Sequence, residues 1–132
     1  MWAAVIDGSK DDMEVVSIAS KLAVYAKSKL KIYFIVNITR KFPVDKELDK
    51  ETNIAELRLD EVEAIPSGMK LSYQSEIIQA RSKGSAILNI TLQSNLESLV
   101  VALPENDLLD EKYIQYVIKN AKCKIVLCTN NL

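Results

Sequence analysis

Trp2 to Ile6 is an unbroken apolar run of strand length, and Asp7-Gly8-Ser9 closes it with turn chemistry. From Asp11 to Ser28, Val15, Ile18 or Ala19, Leu22, Ala23 and Ala26 recur at three- and four-residue spacing, which predicts an amphipathic helix. Lys31 to Asn37 holds the β-branched and aromatic run Ile32-Tyr33-Phe34-Ile35-Val36, without alternation, as expected of a strand covered on both faces. Between Asp45 and Glu63 a second helix is predicted, with Ile54, Leu57 or Arg58, Val62 and Ile65 as its stripe and Pro66-Ser67-Gly68 as its stop. Met69 to Ile78 alternates, Met69, Leu71, Tyr73, Ser75 and Ile77 against Lys70, Ser72, Gln74 and Glu76, the pattern of a strand at a sheet edge. Ser85 is the expected cap of a short helix reaching about Ser94, and Leu96 to Leu103 supplies another buried strand that Pro104 ends. Asn106 or Asp107 opens a last helix through Asn120, with Ile114, Val117, Ile118 and Ala121 on one face, and Ile125 to Cys128 forms a final short strand.

The order βαβαβαβαβ calls for an α/β fold: a five-stranded parallel sheet with helices on both faces, joined by right-handed crossovers. Strands around Ala4, Phe34 and Val101 are expected inside, and those around Tyr73 and Val126 at the edges. A ligand of such a sheet sits beyond the carboxyl ends of the strands, where the winding reverses, so Asp7, Gly8 and Ser9 are expected beside that crevice. The 132 residues suit one domain, 1–132, and 17 basic against 18 acidic residues leave a net charge of −1. That balance speaks against a general nucleic-acid or membrane-surface binder. The absence of histidine excludes imidazole bases and histidine metal sites. Cys123 and Cys128, five residues apart on one strand, lie about 16 Å from each other and cannot bridge. With no signal or spanning segment at the start, the expected location is the cytoplasm.

Several segments resemble the universal stress protein family. Val5-Ile6-Asp7-Gly8-Ser9 resembles the family's opening V-D-G-S, and Ala86-Ile87-Leu88 leading into Leu99-Val100-Val101 resembles its third helix and fourth strand. Val117 to Val126, with Ala121, Cys123, Ile125 and Val126 in register, resembles the closing V-L-x-x-A-x-C-P-V-L. The resemblance implies the adenine nucleotide alpha hydrolase-like strand order 3-2-1-4-5 and a homodimer through the last strand, at Ile125, Val126 and Leu127. Members that bind ATP carry G-x-x-G, nine further residues, then G-[S/T] after strand four, because only glycine lets backbone amides approach the phosphates so closely. This chain has Leu103-Pro104-Glu105-Asn106 there, and Glu111-Lys112 near the final pair. Pro104 removes an amide donor, and Glu105, Asp107, Asp110 and Glu111 would repel a triphosphate.

Asp7 has two readings, a backbone bond within its tight turn or a polar contact to a ligand. Ser9 reads as a helix cap whose hydroxyl has no base to activate it. Asp107 with Asp110 is close to a capping box, and no loop spacing supports a metal held by Asp7 with Glu105 or Asp107. The net charge of −5 over residues 45–63 is that of a solvated helix face, with a basic partner as the alternative. The missing phosphate loop after strand one speaks against a flavodoxin, and Gln79 and Arg81, where an aspartate would be needed, speak against a receiver. The expected function is therefore a non-enzymatic stress-response or regulatory domain, dimeric, without ATP, cofactor or metal. The alternative is an adenine-nucleotide module using Asp7, Gly8, Ser9, Asn37 and Asn106.

Overall fold

Four apolar runs and one alternating segment become strands, and a helix forms in each of the four intervals between them. The computed structural model describes residues 1–38, 49–93, 95–102 and 108–129. Its elements are β1 (Trp2–Ile6), α1 (Asp12–Tyr25), β2 (Leu30–Asn37), α2 (Asp49–Gly68), β3 (Tyr73–Ala80), α3 (Lys83–Thr91), β4 (Ser98–Ala102), α4 (Leu108–Asn120) and β5 (Lys124–Cys128). The strands form one parallel sheet in the order β3-β2-β1-β4-β5, so β2, β1 and β4 are interior and β3 and β5 are edges.

The continuous apolar runs of the interior strands are explained by their two covered faces. Ala4, Ile6, Ile32, Phe34 and Val100 pack against Val15, Val16, Ala19 and Ala23 of α1 and Ala55, Leu59 and Val62 of α2. The alternate residues Ala3, Val5, Tyr33, Ile35, Leu99 and Val101 pack on the other side against α3 and α4, through Ala86, Ile87, Ile90, Ile114 and Val117. Each fully buried aliphatic side chain contributes about 1.5–3 kcal/mol by leaving water. Tyr33 is fully buried yet satisfied, because its hydroxyl donates to Gln93 Oε1 at 2.9 Å.

Several boundaries and faces differ from the pattern-based expectation. α2 ends at Gly68, within the expected Pro66-Ser67-Gly68 stop, but Pro66 itself is still helical and buried. It falls in the last turn, where the lost N–H removes a single ladder bond. The buried stripe of α2 is Ala55, Leu59, Val62 and Pro66, leaving Ile54 and Leu57 51% and 64% exposed. On α4, Ile114 and Val117 are buried while Ile118 faces out, and Ala26 of the expected α1 stripe is the exposed C-cap. β3 begins at Tyr73 rather than Met69, because the preceding residues form the turn that ends α2. Both α1 and α2 end in a Schellman motif built on lysine. Lys27 has φ 54°, with Ser28 N–H donating to the Ala23 carbonyl, and Lys70 has φ 56°, with Leu71 N–H donating to the Pro66 carbonyl. The cap of α3 is Ser82, whose hydroxyl accepts from the Ser85 amide, so Ser85 is the capped residue instead of the cap.

Residues 103–107 lie outside the described residues, and with them Leu103, Pro104, Glu105, Asn106 and Asp107, as do the side chains of Asp110, Glu111 and Lys112. Among the described residues no helix is long and apolar enough to cross a membrane.

Candidate site at the carboxyl end of the central strand

β1 is flanked by β2 and β4, and its carboxyl end is where the chain winds to opposite sides of the sheet. The turn leaving it is tight. Gly8 has φ +90°, a conformation that favours glycine, although a Cβ there would meet Phe34 Cζ only at an ordinary contact distance of 3.4 Å. Asp7 makes the backbone bond expected of it, its Oδ1 accepting from the Ser9 amide at 3.1 Å.

The turn is organised by a residue the pattern did not single out, Asp12, at the first position of α1 and only 1% exposed. Its Oδ2 accepts from the Gly8 amide at 2.8 Å and its Oδ1 from the Asp7 amide at 3.3 Å. Two successive N–H groups thus converge on one carboxylate, as in a backbone nest for an anion. Ser9 is therefore not the cap of α1, whose N-cap is Asp11; its hydroxyl instead donates to Asp12 Oδ1 at 3.4 Å. A carboxylate does stand beside that hydroxyl, contrary to the expectation of no base, but its oxygens are already engaged by amides and by a cation.

The cations come from two other helices. Arg58 of α2 places Nε 3.5 Å from Asp12 Oδ2, and Lys83, the first residue of α3, places its ammonium on Asp7 Oδ2. Burial pushes the Asp7 carboxyl up, but the Lys83 hydrogen bond and charge, with the Ser9 bonds, outweigh it and hold it below the ordinary 3.8. For Asp12, burial dominates and the Asp7 charge adds to it. The two amides and Arg58 offset this only in part, so the carboxyl lies above its ordinary value.

Asn37, another expected site residue, is the exposed last residue of β2, paired with Ala80 of β3 and three residues beyond Phe34, where the pairing with β1 ends. The structure thus brings Asp7, Gly8 and Ser9 together and adds Asp12, Arg58 and Lys83. Separately, a cavity of about 550 Å³ opens between β3 and α3, lined by Ile78, Ala80, Ala86 and Ile90 and by polar groups including Ser85 and Asn89. On β5, Ile125 and Leu127 pack toward the α3 and α4 side and Val126 toward the α1 and α2 side, each half-buried within the chain.

No known protein family and no curated protein matches the sequence. Solved structures do match. A universal stress protein family member from Burkholderia pseudomallei superposes with a TM-score of 0.72 at 13% identity, covering 96% of this chain and 93% of that one. A universal stress protein in complex with cAMP gives 0.74 at 14%, covering 97% and 94%. One from Archaeoglobus fulgidus in complex with dAMP gives 0.71 at 12%, covering 96% of each. With nearly the whole chain superposed and the strands in the order β3-β2-β1-β4-β5, this protein has the universal stress protein fold.

Proposed function

We propose that the chain is a non-enzymatic, cytoplasmic regulatory domain on the universal stress protein fold, a homodimer through β5 that does not use ATP. The observation that carries this reading is internal charge pairing at the crevice. Asp7 is held by Lys83 and the Ser9 amide, and Asp12 holds the amides of Asp7 and Gly8, so the groups that could meet a nucleotide there are engaged by the chain itself. The sequence that follows β4 adds to it, since Pro104 and the nearby acids are adverse to phosphate. A non-enzymatic role fits the commitment of the carboxylate beside Ser9 to two amides and Arg58. Dimerisation is supported by the position of β5, an edge strand whose outer side would be covered by a second copy about a twofold axis.

A second reading is an adenine-nucleotide module without the triphosphate loop. It is favoured by the two similar structures that hold cAMP and dAMP. Isothermal titration separates the two. On the first reading Mg-ATP and AMP both bind more weakly than about 100 μM, whereas on the second AMP saturates the protein well below that concentration. A low-micromolar ATP isotherm contradicts the first reading.

A further inference from the structure

Lys83 is 76 residues from its partner in sequence and stands where helix physics disfavours it. It is the first residue of α3, whose first turn contains no acid, and a cation there meets the positive end of the helix dipole. Its ammonium nevertheless reaches the carboxyl end of β1 and occupies Asp7 Oδ2, both side chains keeping 25% of their surface exposed. The other oxygen, Oδ1, is taken by the Ser9 amide. A ligand offering hydroxyl or amino donors to the Asp7 carboxylate must therefore compete with a charge-assisted bond that is already in place.

Resting on the reading of this crevice as the ligand site, we propose that Lys83 is its specificity-determining residue. By pairing with Asp7 it excludes neutral donor ligands of the nucleoside class, and its release admits them. Three features of the chain support this assignment. Asp7 sits at the topological switch point, Asp12 anchors the turn independently of Lys83, and Lys83 is partly exposed, so it can swing away without unpacking the core. The exclusion is separate from any repulsion of phosphate by the residues after β4, because a nucleoside carries no charge.

The probe is adenosine, titrated into the wild type, Lys83→Met and Lys83→Arg while the Gly8 and Ser9 amide resonances are followed by NMR. Lys83→Met removes the charge at similar length, and Lys83→Arg keeps a cation for Asp7. The proposal expects Lys83→Met to bind adenosine at least about tenfold more tightly than the wild type, with shifts at Gly8 and Ser9, and Lys83→Arg to behave as the wild type. No gain in Lys83→Met overturns it, as does an equal gain in Lys83→Arg or a gain whose shifts fall elsewhere. Lys83→Ala supplies an independent arm should Lys83→Met fail to fold: it too removes the cation, should bind adenosine at least about tenfold more tightly than the wild type with shifts at Gly8 and Ser9, and no gain in the folded variant overturns the proposal. A low-micromolar ATP isotherm in the wild type would defeat the proposed function instead, and it is read in a different titration.

Discussion

Replacing Asp12 by alanine should loosen the turn between β1 and α1 more than any other single change at the site. The substitution removes the acceptor of the Gly8 amide at 2.8 Å and of the Asp7 amide at 3.3 Å, leaving two N–H groups in a part-buried turn. A hydrogen bond to a charged acceptor contributes about 1.5–3 kcal/mol, and the longer of these two falls at or below the lower limit. The Arg58 contact at 3.5 Å adds little, since Arg58 is 28% exposed and solvent screens it. Burial already disfavours the ionised carboxyl, which offsets part of the gain. The expected net loss is about 2 kcal/mol. With a urea slope of about 2 kcal/mol/M for a domain of this size, the midpoint should fall by about 1 M. Trp2, the sole tryptophan and half-buried at the start of β1, reports the transition by fluorescence, at fixed protein concentration so that any association contributes equally. Arg58→Met is the control and should shift the midpoint by less than half as much, because it leaves both amide bonds intact. The sign of the pH dependence is a second check. A carboxyl raised in the fold stabilises fully below its unfolded value of 3.8 and loses that contribution as pH rises through its folded value. The deficit of Asp12→Ala should therefore be larger near pH 3.5 than at pH 7. A midpoint within about 0.25 M of the wild type, or an equal loss in Arg58→Met, would refute the assignment of the turn to the amide bonds.

For Asp7 the linkage runs the other way: its lowered carboxyl stabilises above 3.8 and loses that contribution as pH falls through the folded value. The stability gap between wild type and Lys83→Met, about 1 kcal/mol at neutral pH after allowance for exposure, should close below pH 3.8; a gap constant down to pH 2 would contradict the pairing. Lys27→Gly and Lys70→Gly, each relieving a left-handed residue, should each raise stability by about 0.5–1 kcal/mol in urea unfolding, and a loss in both would contradict the Schellman ends. Val126→Pro at the β5 edge should turn the proposed β5 dimer into a monomer by sedimentation at micromolar concentration, whereas a dimer that survives it is using another surface.

What could be read from the sequence was the part that depends on local pattern. The runs at residues 2–6, 32–36 and 99–101 are apolar on both faces because both faces are covered, and an alternation around Tyr73 marks an edge because one face is wet. The rotational phase of α2 was not legible. Ile54 and Leu57 are as apolar as Leu59 and Val62, and only the sheet and α1 decide which pair is buried. Lys27 hid the end of α1, expected at Ser28 and found at Tyr25, since glycine is the usual marker of that geometry, whereas the stop read at Pro66-Ser67-Gly68 is where α2 ends, with Lys70 as its left-handed residue. At the site, Asp7-Gly8-Ser9 was visible as turn chemistry. Asp12 was within reach, as an acid opening a helix five residues beyond Asp7. Arg58 and Lys83 had no local signal, because their roles depend on α2 and α3 being brought to the end of β1.

Native mass spectrometry of the purified wild type, after incubation with about 10 μM Mg-ATP, tests most directly whether the crevice is committed to the chain's own charges. The account predicts a spectrum dominated by the dimer at twice the chain mass, with no stoichiometric nucleotide adduct beyond what a non-binding control protein gives under the same conditions. One ATP retained per chain at low micromolar nucleotide would contradict it, since neither the paired carboxylates at Asp7 and Asp12 nor the acids that follow β4 could then be keeping the triphosphate out.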